Sequence, residues 1–411
     1  MKIIDGLCAP GLTGFYTDDK LAILKDAKED GFLYEGQPLT KGFTAIRQPG
    51  ESVCIMLRLE DGQIAYGDCA GTQYSGAGGR EVPFVAATAI PIITEHVIPV
   101  LKGRTAERFK DLSEEVDILE VNGRKIHPAN RYGVTQAILD AVAKSKKVTM
   151  AEIIAEEYGI AISDRINPIY AQSGDERYTN VDKMIVKKVD ILPHGLINNV
   201  KRLVGEQGEI LKDYVVWIRS RILKYGEEGY TPKMHLDTYG TIGMAFNQDI
   251  ESVADYLGIL AEAAKPFELI IEMPVDLGSK EKQIAGMKTL KESMQRKGID
   301  VKLMIDEWCN TLADTKEWAD SGATDKINIK TIVLGGIHNI IEAILYCNDH
   351  QIGSMMGGTC NETDISAMAC ANIAMATQPE AIAARPGMGV DEGLMTIYNE
   401  MQRILALKKR P

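Results

Sequence analysis

The chain lacks paired cysteines, an excess of basic residues and any long uninterrupted apolar stretch, and each shortage removes a class of protein. Its seven cysteines stand at positions 8, 54, 69, 309, 347, 360 and 370 with no Cys-x-x-Cys pair. That pattern fits neither a disulfide framework nor a zinc knuckle, and it predicts reduced thiols in the cytoplasm. Lysine and arginine total 46 against 58 acidic residues, a formal net charge of −12, so a phosphate-binding surface for nucleic acid is not expected. The most apolar stretch, Val82 to Leu101, is broken by Pro91, Glu95, His96 and Pro99. Asp5 falls where a signal peptide would be apolar, so neither export nor a membrane span is expected. Low-complexity tracts are missing too. The glycine-rich segment Gly71–Gly79 lacks the spacing of a dinucleotide-binding loop and opens no βαβ unit. It reads instead as a mobile flap, because adjacent glycines allow wide backbone excursions.

What is present is an ordinary globular composition, 45% hydrophobic and 25% charged, sufficient for a large core. Strand-like runs at Phe43–Arg47, Ser52–Leu59 and Gln63–Gly67, the last two joined by Glu60-Asp61-Gly62, predict an antiparallel meander. From Val82 to about Tyr158 the periodicity is helical, which makes this first region α+β. After Asn167 short apolar strands alternate with helical stretches, the pattern of repeated βα units. The strands are expected at Ile169–Gln172, Val189–His194, Lys233–Asp237, Glu268–Glu272, Val301–Asp306, Lys326–Lys330, Gln351–Met356 and near Ala383–Gly387, with a closing amphipathic helix over Met395–Lys409. The predicted fold class is α/β: a C-terminal (β/α)8 TIM-type barrel with an N-terminal α+β capping domain. A barrel takes about 250 residues, so residues 1–160 are assigned to the capping domain and 161–411 to the barrel.

The carboxyl ends of the predicted strands carry Gln172, His194, Asp237, Glu272, Asp306 and Lys330, then the run Gly357 to Glu362. In such barrels the loops at that end converge on one mouth, where chemistry is assembled. An acid at a strand end can cap a helix or bridge to a lysine. Three on consecutive strands repel one another unless a cation offsets them, and oxygen-only donors favour a hard ion such as Mg²⁺. Asp237, Glu272 and Asp306 are therefore the expected metal ligands. Alternation turns Asn328 and Lys330 toward the barrel interior and Ile327 and Ile329 toward the helices, and it sets His235 inward beneath Asp237 as a buried, hydrogen-bonded histidine. An ammonium beside a bound divalent cation meets desolvation and like-charge repulsion, both of which favour the neutral amine, a competent base. Lys330 is the candidate base, and His194 approaches the cavity from the opposing side.

With these residues in place, the chain resembles the methylaspartate ammonia-lyases of the enolase superfamily over nearly its whole length. The resemblance rests on long strings: Gln73-Tyr-Ser-Gly-Ala-Gly-Gly-Arg80, Ala171-Gln-Ser-Gly-Asp175, His235-Leu-Asp-Thr-Tyr-Gly-Thr-Ile-Gly243, Asp306-Glu-Trp-Cys-Asn-Thr311, Gly357-Gly-Thr-Cys-Asn-Glu-Thr363 and Pro386-Gly-Met-Gly-Val-Asp-Glu-Gly393. It implies Mg²⁺-dependent, reversible loss of ammonia from L-threo-3-methylaspartate to give mesaconate. It also implies Mg²⁺ on Asp237, Glu272 and Asp306, Lys330 as base for one face of the substrate and His194 for the other. Gln172, Asn328, Gln73, Thr359 and Cys360 would surround the substrate's carboxylates and amino group. A homodimer and activation by K⁺ are further implications. The chain departs from the family pattern where Asn328 replaces a glutamine two residues before the lysine, and where Ile332-Val333 replaces Pro-Asp. Asn reaches one methylene less far toward a substrate carboxylate. These departures leave two other readings open: an acid-sugar dehydratase or racemase of the same superfamily, and a metal-binding barrel without activity.

Overall fold

The computed structural model describes residues 1–357, 359–387 and 390–409. Gly358, Met388 and Gly389, which belong to two of the strings quoted above, lie outside the described residues. Residues Ile3–Asp18 (β1), Arg47–Leu59 (β2) and Ile64–Ala70 (β3) form an antiparallel sheet in the order β1-β2-β3. The hairpin expected at Glu60-Asp61-Gly62 is present, closed by Gly62 N–H on the Leu59 carbonyl (3.0 Å) with Gly62 at φ 89°. The expected strand at Phe43–Arg47 is not formed, since β2 begins at Arg47, the partner of Asp18. The meander's third member is β1. It is an edge strand, and the edge is where Pro10 costs no ladder bond.

The helix Pro128–Lys146 lies on this sheet, mostly buried. Gly67 and Gly133 make the approach possible: a Cβ on Gly67 would strike the Gly133 carbonyl, and one on Gly133 the Cys69 amide. Gln136 seals the contact, accepting from Asp68 N–H (3.2 Å) and donating to the Asp68 carbonyl (3.1 Å). Helices Phe109–Asp117 and Met150–Tyr158 complete the layer, the second opened by a capping box between Thr149 and Glu152.

The strands Ile169–Tyr170 (β4), Ile191–His194 (β5), Lys233–Asp237 (β6), Leu269–Glu272 (β7), Lys302–Ile305 (β8), Lys326–Asn328 (β9), Gly353–Met356 (β10) and Ala381–Ala383 (β11) pair in sequence, all parallel, and β11 pairs with β4 to close the barrel. The last strand therefore lies earlier than Ala383–Gly387. Tyr170, Ile191, Ile270, Met304, Met355, Ala381 and Ala383 form one buried cluster inside the barrel, whereas Ile327 and Ile329 join the larger core shared with the helices, as their alternation predicts. The closing helix runs Glu392–Lys408. No helix among the described residues is long and apolar enough to cross a membrane.

The sheet-and-helix layer is fastened to the barrel by Asp117. Its carboxylate accepts from Arg131 (2.7 Å) and Lys125 (3.0 Å), and from the backbone N–H of Gly336 in the barrel (2.8 Å). Burial alone would raise its pKa; Arg131, the Gly336 amide and Lys125 outweigh that and hold it at about 2. Asp117→Ala is expected to destabilise the fold by about 2–4 kcal/mol at neutral pH, since it strands a mostly buried arginine and a buried amide. Because the folded pKa is depressed, this contribution is present above the unfolded carboxylate value and disappears as pH falls toward 2. The gap between wild-type and variant denaturation midpoints should narrow over that window, and a constant gap would refute the account.

Candidate active site

Strand register brings the carboxylates together. Asp237 and Glu272 are direct partners across β6 and β7, and His194 pairs with Leu236 across β5 and β6. Ligand atoms of His194, Asp237 and Glu272 consequently lie within 4.8 Å of one another, all buried. Asp306 is not in that group. The partner of Glu272 on β8 is Met304, so Asp306, two residues further along, stands nearer the rim. There Arg80 donates to its Oδ1 (2.7 Å) and Lys330 Nζ to its Oδ2 (2.8 Å).

Each of the other acids has its own support. His194 Nε2 is 3.2 Å from Asp237 Oδ2, and the Tyr239 N–H donates to Asp237 Oδ1 (3.2 Å). Glu272 is fully buried, with His235 Nε2 at 2.9 Å from Oε2 and Asn328 Nδ2 donating to Oε1 (2.9 Å). Burial lowers the His235 pKa to about 4, so its ring is neutral. A neutral ring that donates from Nε2 keeps its lone pair on Nδ1, which has no partner among the described residues. Burial, then Asp237 and Asp306, push the Glu272 pKa well above the usual carboxylate range. Asn328 thus spends its amide N–H on Glu272, and its Oδ1 is buried without a partner among the described residues.

The cap closes the mouth. Thr72, Gln73 and Tyr74 from the glycine-rich segment, with Arg80 directly after it, face Gln172, His194, Tyr239, Asp306, Lys330, Thr359 and Cys360 around a narrow cavity of about 20 Å³. Asn328 is not among its lining residues. The segment is fastened down: the Gly78 carbonyl accepts from Trp308 N–H (3.3 Å) and Asn310 Nδ2 (2.7 Å), and a Cβ at Gly78, φ 55°, would meet the side chain of Glu307. Lys20, also from the cap, donates to Glu307 Oε1 (2.9 Å). Against the desolvation of burial, Lys20 and Arg80 hold the Glu307 pKa low. A larger cavity of about 560 Å³ opens at the opposite end of the barrel between Lys265, Phe267, Glu268 and Lys297, away from these acids.

The sequence reading missed Arg80, Tyr239, Lys20 and Glu307. Arg80 had a signal, since buried acids need compensating cations and it ends a quoted string. Lys20 had none, being one lysine among many in a region with no recognised element.

The donor set suits a hard divalent cation. Three buried carboxylates share the mouth, and Glu272 feels the charges of the other two with no cationic side chain bonded to it among the described residues, which is the imbalance such an ion relieves.

Fold and site together define a capped (β/α)8 barrel of the enolase kind; muconate lactonizing enzyme from Pseudomonas fluorescens shares this fold at a TM-score of 0.64 and 18% identity, over 97% of this chain and 88% of that one. Within that class, the descriptions methylaspartate ammonia-lyase N-terminus and C-terminus match residues 1–159 and 161–410, and the chain belongs to the methylaspartate ammonia-lyase family. It is 53% identical over 411 residues to the methylaspartate ammonia-lyase of Clostridium tetanomorphum, covering all of both chains. A Mg-complex of β-methylaspartase from that organism superposes with a TM-score of 0.92 at 53% identity over 99% of each chain. The Citrobacter amalonaticus methylaspartate ammonia-lyase containing (2S,3S)-3-methylaspartic acid gives 0.97 at 45% identity over the whole of both chains.

Proposed function

We propose that this chain catalyses the Mg²⁺-dependent, reversible elimination of ammonia from L-threo-3-methylaspartate to give mesaconate. The observation that carries this reading is that two basic side chains, Lys330 and His194, line one cavity while each is bonded to a different acid of the mouth. A binding function alone would need neither base. In this reading residues 1–160 form the cap and 161–411 the catalytic barrel, acting as a homodimer in the cytoplasm. The seven unpaired thiols support that compartment.

Asp237, Glu272 and Asp306 would hold Mg²⁺, which when bound neutralises the charge that builds on the substrate carboxylate next to the carbon losing its proton. Lys330 Nζ takes the C3 proton from one face and His194 Nε2 serves the other, so epimers at C3 are both processed. Gln172, Thr359, Cys360 and Gln73 orient the two carboxylates and the amino group. Asn328 acts through Glu272, whose carboxylate it fixes jointly with His235. Arg80 and Tyr74 exclude water from above.

Purified protein given 3-methylaspartate and Mg²⁺ should generate the ultraviolet absorbance of a conjugated diacid with release of ammonia. No product from any 3-substituted aspartate would reject the reading. Solvent hydrogen exchange next to a carboxylate without ammonia release would favour a racemase or dehydratase instead.

A further inference from the structure

Asp18 ends β1 and contacts none of the acids at the mouth, but it is completely buried. Its carboxylate accepts from Arg47 Nε (2.8 Å) and Arg47 Nη2 (3.0 Å), and from Gln73 Nε2 (3.2 Å). Its backbone N–H donates to the Gln73 carbonyl (2.9 Å). At the far side of the same amide, Gln73 Oε1 accepts from Cys360 Sγ (3.3 Å), and Gln73 and Cys360 both line the cavity.

An ionised carboxylate only accepts hydrogen bonds. The NH₂ of Gln73 must therefore face Asp18, which turns the carbonyl oxygen toward Cys360 and the cavity. Burial pushes the Asp18 pKa up, and the two bonds from Arg47 oppose this. Arg47 is itself locked, its guanidinium over the rings of Tyr16 (3.9 Å), Phe32 (4.5 Å) and Tyr34 (5.0 Å), with Nη2 3.2 Å from Asp175 Oδ2 on the loop after β4.

We propose that Asp18, held by Arg47, is a positioning residue: it fixes the side-chain amide of Gln73 so that the carbonyl oxygen faces the cavity and accepts N–H from the amino end of the substrate or from incoming ammonia. A flipped amide would present NH₂ to an ammonium, donor against donor, and would suit a carboxylate instead. Asp18 thus sets which end of an amino dicarboxylate is received at Gln73. The inference rests on the proposed lyase reaction.

The test is steady-state kinetics in both directions on wild type, Asp18→Asn, Gln73→Ala and the double variant, with Mg²⁺ saturating. Asparagine can donate or accept, so it releases the amide. Asp18→Asn should raise the KM for ammonia by about tenfold, the scale of one lost hydrogen bond, and leave the KM for the unsaturated diacid nearly unchanged. In the Gln73→Ala background the same substitution should have no further effect. Equal rises in both KM values, or a loss from Asp18→Asn that persists undiminished beside Gln73→Ala, would overturn the assignment. If Asp18→Asn loses its folded melting transition, Arg47→Gln/Asp18→Asn removes the ion pair as a unit and takes its place in the cycle. Absence of wild-type turnover would instead reject the reaction itself, which keeps the two failures apart.

Discussion

Lys330→Ala is expected to lower kcat on L-threo-3-methylaspartate by about 10²–10⁴-fold, the usual yield of a positioned general base, with a much smaller change in KM. The side chain reaches the cavity from two residues past β9 and is bonded to Asp306 Oδ2 (2.8 Å). Its removal leaves Arg80 on Asp306 Oδ1, so the acid stays paired and the melting temperature should hardly move. His194→Ala should behave differently. His194 is bonded to Asp237 rather than Asp306, and it serves the other face of the carbon acid. Its loss should fall chiefly on the C3 epimer. Assaying both variants on both diastereomers therefore separates the bases: crossed losses support one base per face. Unchanged turnover by Lys330→Ala would remove that residue from the chemistry. Equal losses on both isomers from both variants would mean the two side chains act as one unit.

The acids, the lysine and His194 were legible in the sequence because each stands at or just past the carboxyl end of a barrel strand, where periodicity fixes position along the strand. Shear between strands was not legible. It sets Glu272 level with Asp237 but Asp306 nearer the rim, and it brings Asn328 to Glu272, where the sequence suggested a substrate contact. His235 was read correctly as an inward, hydrogen-bonded histidine, since a period of two decides the face. The cap was harder. β1 hid behind Pro10, Gly11 and Gly14, which break the alternation of a strand but are tolerated at a sheet edge. The cations that compensate the mouth, Lys20 and Arg80, come from that cap, and no local pattern relates them to acids more than two hundred residues away. A short-range reading finds what a strand presents; it does not find what a second domain lowers onto it.

Glu272→Gln tests the metal account by a route independent of turnover. Glu272 Oε1 accepts from Asn328, and Oε2 lies in hydrogen-bond contact with His235 Nε2. Glutamine keeps one acceptor and offers an NH₂ in place of the other. His235 can take that NH₂ by accepting at Nε2 with its own proton on Nδ1, which has no partner among the described residues, so the variant should fold. What it loses is a group whose ionised form burial, Asp237 and Asp306 already disfavour. In chelator at neutral or higher pH, Glu272→Gln should therefore melt at or above the wild-type temperature. The sign follows from the raised pKa: folded Glu272 keeps its proton at a pH where the unfolded residue has lost it, so wild-type stability falls as pH rises above about 4.3, a slope the variant lacks. Mg²⁺ should reverse the order. A ligand at 100 times its Kd stabilises by about 2.7 kcal/mol, and losing one carboxylate ligand should weaken binding by more than about 100-fold, the upper range for residues that merely support a ligand. Wild type should gain several degrees on Mg²⁺ addition and the variant almost none, with deamination abolished by chelator in the wild type. Equal thermal gains in the two proteins, or deamination that survives the chelator, would mean that the acids of the mouth are compensated by Arg80 and Lys330 alone and that the carbon acid is activated in some other way.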